Sequence, residues 1–154
     1  MRKALGFIVP VAVCFLVGMV SGWLQSDSLQ AWYPFLDKPA LTPPDMVFPV
    51  AWGILYLLMG LSLGLIINTQ TPRKRFFCIL FGLQLLFNFT WSVVFFACQS
   101  PLWGLVNIFV LDGLVIYYAI ASWRENRVAS LLFWPYVLWL IFATYLNAYI
   151  FMYN

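Results

Sequence analysis

Five long apolar segments run along the chain, near residues 5–24, 46–67, 76–97, 102–123 and 130–151, and short polar breaks separate them. A helix needs about 20 mostly apolar residues to cross a hydrocarbon core about 30 Å thick. Membrane β-strands would alternate apolar and polar residues, whereas stretches such as "LWLIFATYL" are apolar on consecutive positions. The pattern therefore predicts an all-α integral membrane protein, a single five-transmembrane-helix bundle over residues 1–154 with a long loop at 25–45.

The overall composition leaves little room for anything outside the membrane. Hydrophobic residues make up 64% of the 154 residues, charged residues make up 8%, and the mean hydropathy is +0.92. These values lie far from those of soluble domains, so we expect no soluble catalytic module. The chain has no histidine, and Cys14, Cys78 and Cys98 lie on separate segments without metal-ligand spacing. We therefore expect no metal site, no covalently bound cofactor and no His-assisted nucleophile.

Basic residues indicate the orientation of the helices, because Arg and Lys in short loops beside a span tend to remain in the cytoplasm. They precede the first segment at Arg2 and Lys3, and they recur at positions 73–75 and at Arg124 and Arg127. All of these places lie on one side of a chain with five spans. We therefore predict a cytoplasmic N-terminus, an extracytoplasmic loop 25–45 and an extracytoplasmic C-terminus. Topology accounts for the net charge of +3, so nucleic acid is not an expected partner.

The loop before the second segment, which includes "WYPFLDKPALTPPDM", is rich in proline. Pro34, Pro39, Pro43 and Pro44 remove backbone donors and fix φ, so no long regular helix can form across them. We predict that Asp45 caps the N-terminus of the second helix. We therefore predict that the loop is a stiff lid over a pocket. It runs directly into the second helix, which forms one wall of that pocket.

The third segment carries a polar and aromatic stripe. Gln84, Asn88, Trp91 and Phe95 follow at intervals of four, three and four, so they share one helix face, which we expect to face the bundle interior. Polar residues inside spans are costly, and each needs a partner or a function. Two interpretations stay open: the amides bond to a neighbouring helix as packing contacts, or they line a ligand pocket. The lone acidic residue in a span, Asp112, can pair with an amide, be protonated or line a polar passage.

Two further stripes appear at helical spacing on the second and fifth segments. Such stripes are more often core than ligand site. Tryptophan is usually enriched at the membrane interfaces, however. Trp52, Trp91 and Trp139 are expected to lie about one helical turn or more deeper in the membrane than this interfacial layer. If they converge, they form walls for a flat apolar ligand, with Asn88 as an orienting polar contact. The positions that follow at intervals of four and three are Trp52, Tyr56 and Met59 on the second segment and Trp139, Ala143 and Leu146 on the fifth.

Two GxxxG pairs, Gly18 with Gly22 and Gly60 with Gly64, permit close contacts between helices. Such contacts can lie between two copies of the chain or within one bundle. The sequence does not decide between these two arrangements.

Several motifs together resemble the TspO/translocator protein family, also called tryptophan-rich sensory proteins or peripheral benzodiazepine receptors. Residues 32–60 contain "WY", "KP", "TPP", an aromatic residue before Pro49, and then "W", "LY" and "MG". The stretch "FNFTWSVVFF" resembles the third helix of the family, and "WPYVLWLIFATYLN" resembles the fifth. One departure is Leu41, where many members have Trp. The resemblance covers nearly the whole chain.

The resemblance implies a five-helix bundle in a bacterial cell membrane, often a homodimer, with a pocket that opens toward the first loop. The implied ligands are porphyrins, with protoporphyrin IX as ligand or substrate, and isoquinoline and benzodiazepine drugs. Sterol or other membrane lipid is also implied, although the basic residue of the family's sterol pattern is absent after Tyr149. Carried over residue by residue, the ligand-binding positions are Tyr33, Pro43, Trp52, Tyr56, Asn88, Trp91, Trp139, Ala143 and Leu146.

Three functions follow as expectations. The first is a membrane receptor or sensor that binds porphyrins and related flat ligands. The second is light- and oxygen-dependent degradation of protoporphyrin IX, with Trp52 and Trp139 as the catalytic residues and the photoexcited porphyrin as the source of reactivity. The third is transport of porphyrin, sterol or lipid, which the lack of an inverted repeat disfavours. We expect binding first.

Overall fold

A computed structural model describes residues 2–154, with the backbone alone at Arg2. The five helices are α1 (Arg2–Ala31), α2 (Val47–Asn68), α3 (Lys74–Ser92), α4 (Pro101–Ser122) and α5 (Arg127–Tyr153). Each is long and apolar enough to cross a membrane, and residues 2–154 contain no strand. The predicted five-helix, all-α membrane bundle is confirmed. The side chain of Arg2, which the charge pattern counts among the cytoplasmic cations, lies outside the described part.

The first helix is longer than the apolar pattern predicts. It continues past Leu24 through "QSDSLQA" to Ala31, so a loop that begins at residue 25 is wrong for its first seven residues. Hydropathy reports which residues suit lipid and not which residues are helical, and this polar extension forms its own contacts. The Ser92 hydroxyl on α3, for example, donates to Gln25 Oε1 at 2.7 Å.

The proline-rich segment between α1 and α2 is mostly irregular, as predicted, with one short 3₁₀ turn at Tyr33–Phe35. The prediction that Asp45 caps α2 is wrong. That helix begins at Val47 with Met46 at the N-cap and no side-chain cap. A backbone turn, in which the Val47 N–H donates to the Pro44 carbonyl at 2.9 Å, brings the chain into the helix instead.

The helices form a closed ring in the order α1, α2, α5, α4, α3, because each packs on the next and α3 returns to α1. At one end, called here the basic end, lie Arg73, Lys74, Arg75, Arg124 and Arg127. At the other, called here the loop end, lie residues 32–46 and the end of α5, because Asp37 and Asn154 hydrogen-bond there.

Small residues and hydroxyl groups hold the basic end together. The Ser62 hydroxyl on α2 donates to the Ala129 carbonyl at 2.7 Å, and the Ser130 hydroxyl donates to the Ala119 carbonyl at 2.6 Å. Between the two short loops, the Arg73 guanidinium pairs with the Glu125 carboxylate at 3.3 Å. These bonds tie the ends of α2, α4 and α5 to one another.

One of the GxxxG pairs is used inside the bundle. A Cβ added to Gly60 would lie 2.5 Å from the Val11 Cα, and one added to Gly64 would meet the Phe7 ring and lie 3.0 Å from the Gly6 carbonyl oxygen. The pair on α2 therefore brings the backbones of α1 and α2 together. On α1, Gly18 faces the Tyr56 ring, while an added Cβ at Gly22 would meet nothing within 4 Å.

Candidate ligand-binding site

Four aromatic rings from α2, α3 and α5 meet in the loop half of the bundle. The ring centroid of Trp52 lies 5.5 Å from that of Tyr56, 6.2 Å from Trp91 and 6.1 Å from Tyr136. Trp52 is half-buried, whereas the other three are buried. The stripes on α2 and α3 converge as the helical spacing predicts. These four residues are called the ring cluster below.

A hydrogen-bonded chain passes through Asn88 at the centre of this cluster. The Tyr56 hydroxyl donates to Asn88 Oδ1 at 3.2 Å, and Asn88 Nδ2 donates to the Tyr136 hydroxyl at 2.8 Å. Asn88 therefore joins α2, α3 and α5, as the packing interpretation of the stripe requires. It also presents its amide within a wall of aromatic rings, so the ligand interpretation stays a prediction.

A second amide orients the Trp91 indole. Its Nε1–H donates to Asn147 Oδ1 at 3.1 Å, and Asn147 Nδ2 donates to the Pro101 carbonyl at 2.7 Å. The indole plane is thereby held by α5 and by the first residue of α4. Asn147 uses both its oxygen and its nitrogen in hydrogen bonds, so its amide cannot rotate freely. The bond to Trp91 therefore holds the indole in one orientation.

The other predicted positions lie around the cluster rather than within it. The half-buried Trp139 ring packs on Phe48 at 6.1 Å and on Phe142 at 5.8 Å, and no ring contact with Trp52 occurs in the described structure. Ala143 and Leu146 are buried on α5, on the turns between Trp139 and Asn147. Pro43 is half-buried in the loop. The two residues predicted to be catalytic, Trp52 and Trp139, therefore have no direct ring contact with each other in the described structure.

The loop covers the end of α3 through aromatic contacts. The Trp32 ring lies 5.8 Å from that of Phe95, which stacks on Trp91 at 5.9 Å, and the Tyr33 ring lies 5.5 Å from Phe96. Each contact places the loop one ring away from the cluster. The predicted position of Tyr33 near the site is therefore consistent with the geometry.

Reciprocal hydrogen bonds fasten the middle of the loop to α5. The Asp37 N–H donates to Asn154 Oδ1 at 2.9 Å, and Asn154 Nδ2 donates to the Asp37 carbonyl at 3.1 Å. Nearby, the Lys38 ammonium lies 4.5 Å from the Tyr33 ring centroid and donates to the Tyr33 carbonyl at 2.9 Å. Burial, and then the nearby Asp45 carboxylate, raise the pKa of Tyr33 to about 12, so the phenol is neutral under ordinary conditions.

A change of helical pitch at the end of α3 positions Phe95 and Phe96. Residues Val93–Ala97 form a π-helical turn, in which the Cys98 N–H donates to the Val93 carbonyl at 2.9 Å. The extra residue in this wider turn changes the direction in which the following side chains point. At Gln99, with a φ of 51°, the chain then turns back toward α4. Both phenylalanine rings are consequently available to the loop.

Sequence reasoning missed Tyr136 and left Asn147 without a role. Tyr136 precedes Trp139 by three residues and extends the α5 stripe by a turn, so the spacing that found Trp139 could also have found it. For Asn147, no signal in the sequence indicates that its partner is the Trp91 indole, because that depends on how α3 and α5 are rotated against each other.

The structure also settles the partner of Asp112. Its Oδ2 accepts a hydrogen bond from the Thr144 hydroxyl at 2.8 Å, between α4 and α5, while Oδ1 is buried and has no partner in residues 2–154. Of the three alternatives that the sequence left open, pairing with an amide does not occur in residues 2–154. Asp112 contributes to α4–α5 packing and lies outside the ring cluster.

Comparison with known proteins agrees with this architecture. The family model described as the TspO/MBR family matches residues 10–153. The "Tryptophan-rich protein TspO" of Chlorobaculum tepidum is 35% identical over 148 residues, which cover 95% of this chain and 94% of the relative. A protein of the same name from Archaeoglobus fulgidus is 35% identical over 97% of both chains. The human "Translocator protein" is 32% identical over 94% of this chain and 85% of its own length. This integral membrane protein therefore belongs to the TspO/MBR family.

Proposed function

We propose that the protein is a membrane receptor or sensor that binds flat, apolar ligands, porphyrins such as protoporphyrin IX above all, between α2, α3 and α5 beneath the loop. The observation that carries the proposal is the ring cluster around Asn88. Aromatic faces stack favourably on a flat conjugated ligand, and the amide supplies the kind of sparse polar contact that orients ligands in apolar sites. Isoquinoline-type ligands fit the same description.

Entry of such a ligand requires the rings to separate, because the Trp52 ring contacts three others. Trp52 is half-buried and has no side-chain hydrogen bond in residues 2–154, so it can change rotamer without leaving a broken bond. Trp91, in contrast, is held by Asn147. We infer that Trp52 moves aside with the loop and that Trp91 stays as the fixed wall.

The names of the relatives support the general class of function, a membrane sensor or receptor. The names "Tryptophan-rich protein TspO" and "Translocator protein" belong to proteins of similar length that match over most of this chain. Family membership supports a membrane protein of the sensor or receptor type. The choice of porphyrin as the ligand rests on the family resemblance, and the aromatic rings around Asn88 provide the flat surfaces that such a ligand needs.

Tryptophan fluorescence tests the proposal directly. Protoporphyrin IX should quench the emission of the purified protein with a saturable dependence on concentration, and Trp139→Phe and Trp52→Phe should each weaken the response. The matched control is Trp103→Phe on the outer face of α4, which is 65% exposed and should leave the affinity unchanged. The pocket is disproved if neither protoporphyrin IX nor an isoquinoline carboxamide changes the fluorescence or the melting temperature.

A second candidate function is light- and oxygen-dependent degradation of the bound porphyrin. It is favoured by the concentration of oxidisable side chains, with the Trp52 ring in contact with one indole and two phenols. Illumination in air should then bleach the Soret band of the complex faster than that of free porphyrin. Equal bleaching by wild type, by a Trp52→Phe, Trp139→Phe double variant and by free porphyrin would eliminate this activity.

We also propose that the basic end faces the cytoplasm, because its two short loops carry Arg73, Lys74, Arg75, Arg124 and Arg127. Cys98 is exposed between α3 and α4 at the loop end and reports on the opposite side. A membrane-impermeant thiol reagent should label it on intact cells, and Cys98→Ser should abolish the label. Labelling only after the membrane is opened would reverse the orientation.

A further inference from the structure

The amide of Gln84 is buried in the bundle without a partner. Its side chain is fully buried, and neither Nε2 nor Oε1 has a hydrogen-bond partner among the described residues. A primary amide has two N–H donors and acceptor lone pairs on its oxygen. Burying such a group unpaired costs free energy, and proteins contain few of them, so each calls for an explanation.

Helix geometry indicates where this amide points. Gln84 precedes Asn88 by four residues and Trp91 by seven, so all three share one face of α3. That face looks into the bundle interior, because Asn88 bonds to α2 and α5 and Trp91 bonds to α5. Gln84 therefore lies on the same interior face one helical turn, or about 6 Å, deeper than Asn88 and toward the basic end.

The depth of Gln84 restricts the chemistry of its partner. The span Lys74–Ala97 extends ten residues before Gln84 and thirteen after it, which is about 15 Å and about 20 Å of helix. The amide therefore lies near the middle of the span. A carboxylate or ammonium group at that depth costs far more free energy than a neutral carbonyl or amide, whose cost one hydrogen bond largely offsets.

We propose that Gln84 forms the deep end of the ligand site, where its amide donates to a neutral carbonyl-type oxygen at the leading end of a flat ligand. The inference rests on the function proposed above and adds a preference to it: flat ligands that carry a neutral carbonyl enter with that group first, whereas protoporphyrin IX, whose only oxygens are those of its propionates, binds without this hydrogen bond. Charged groups, such as porphyrin propionates, then remain at the loop end, where Lys38 lies. A buried water molecule bound to the amide is the competing occupant, and it would give no preference among ligands.

Two matched probes, 9-fluorenone and fluorene, test this preference because they differ in one group, a carbonyl in place of a methylene. Their affinities are measured by competition with protoporphyrin IX fluorescence. We expect wild type to prefer fluorenone by roughly tenfold, as one hydrogen bond in an apolar site allows. Gln84→Met, a variant of similar shape without the amide, should reduce that preference to about one. Leu80→Met, at a buried apolar position one turn before it, should keep the preference.

Two further measurements separate a ligand contact from a structural role. The infrared carbonyl band of bound fluorenone should shift to lower frequency in wild type and Leu80→Met but not in Gln84→Met. Without ligand, Gln84→Met should melt roughly 2–4 °C higher than wild type, because an unpaired amide is gone. Gln84→Leu serves as a second variant if the methionine does not fold, and the band shift of wild type needs no variant.

The outcomes distinguish this inference from the function on which it rests. Equal affinity of wild type for the two probes, or a preference that persists in Gln84→Met, overturns the role of Gln84 while protoporphyrin binding stands. Failure of wild type to bind protoporphyrin IX or either probe overturns the proposed function, and the role of Gln84 with it.

Discussion

The two ends of the bundle are held together in different ways. In the half of the bundle toward the basic end, helices approach backbone to backbone at Gly60 and Gly64, and hydroxyl groups donate to carbonyls of the neighbouring helix. At the loop end, helices meet through side chains, with rings against rings and amides bonded to phenol and indole groups. Trp52 and Trp139 are half-buried there.

This difference separates a scaffold from a site. Contacts between backbones cannot open without moving whole helices, because small residues leave no flexible side chain to rearrange. Contacts between rings can open by rotation about side-chain bonds. The basic end thus fixes the order of the helices in the bundle, and under the proposed function the loop end opens for a ligand without loss of that order. The following changes test the comparison, starting with the largest expected effect.

Gly60→Leu should destabilise the protein by about 3 kcal/mol, because even its Cβ would lie 2.5 Å from the Val11 Cα and a backbone has to move. Thermal unfolding in detergent measures the effect. The control is Gly53→Leu on the same helix, where an added Cβ meets nothing within 4 Å. Similar melting temperatures for the two variants would show that the backbone contact at Gly60 does not make the basic end more rigid than the loop end.

Asn88→Leu should cost about 2 kcal/mol of stability, because the Tyr56 hydroxyl loses its acceptor and the Tyr136 hydroxyl loses its donor. Adding Tyr56→Phe and Tyr136→Phe to the same chain removes both unpaired hydroxyls and should restore most of the loss. A triple variant no more stable than Asn88→Leu would mean that the bonds through Asn88 do not hold the loop half together.

Replacing Pro43 and Pro44 by glycine should weaken protoporphyrin binding about fivefold and leave the helical circular dichroism unchanged. The more flexible loop loses more conformational entropy when it closes over the ligand, by about 1 kcal/mol. Pro72→Gly, in the exposed turn at the basic end, is the control and should not change the affinity. If the Pro72 variant lost as much protoporphyrin affinity as the Pro43 and Pro44 variant, the loss would reflect chain flexibility in general and not closure of the loop.

Asn154→Ala should have the smallest effect, about 0.5 kcal/mol, because the two bonds to Asp37 are exposed to solvent. The change should appear as faster hydrogen exchange in residues 36–40 and faster association of protoporphyrin IX. In the control, Asn68→Ala removes bonds to the Lys3 and Gly64 carbonyls at the basic end. Faster loop exchange in the Asn68 variant, or none in the Asn154 variant, contradicts a fastening role.

Much of the candidate site could be predicted because helical spacing alone decides which residues share a face. Trp52 and Tyr56 on α2, and Asn88 and Trp91 on α3, come together as their intervals indicate. The apolar pattern was less informative at the ends of helices. It ended α1 before its polar last turns, because hydropathy records preference for lipid and not helix propensity.

Helical spacing and hydropathy could not predict which side chains pair between helices. Asp112, whose partner the sequence left open, shows the reason: many side chains can in principle reach a given group, and only the rotation and order of the helices selects Thr144. The same holds for the bond of Trp91 to Asn147. A cap at Asp45 also looked adequate locally, but the chain enters α2 through a backbone turn instead.

The sequence by itself determined the class of the protein, the number of helices and the polar and aromatic face of α3, because these depend on residues close together along the chain. Only the tertiary structure decided which helices are neighbours, which glycines bring backbones together, and that Gln84 is left without a partner. Lipid-facing and interior side chains are about equally apolar in a membrane, so hydropathy carries no information on neighbour order. Close packing and hydrogen bonds between helices supply it.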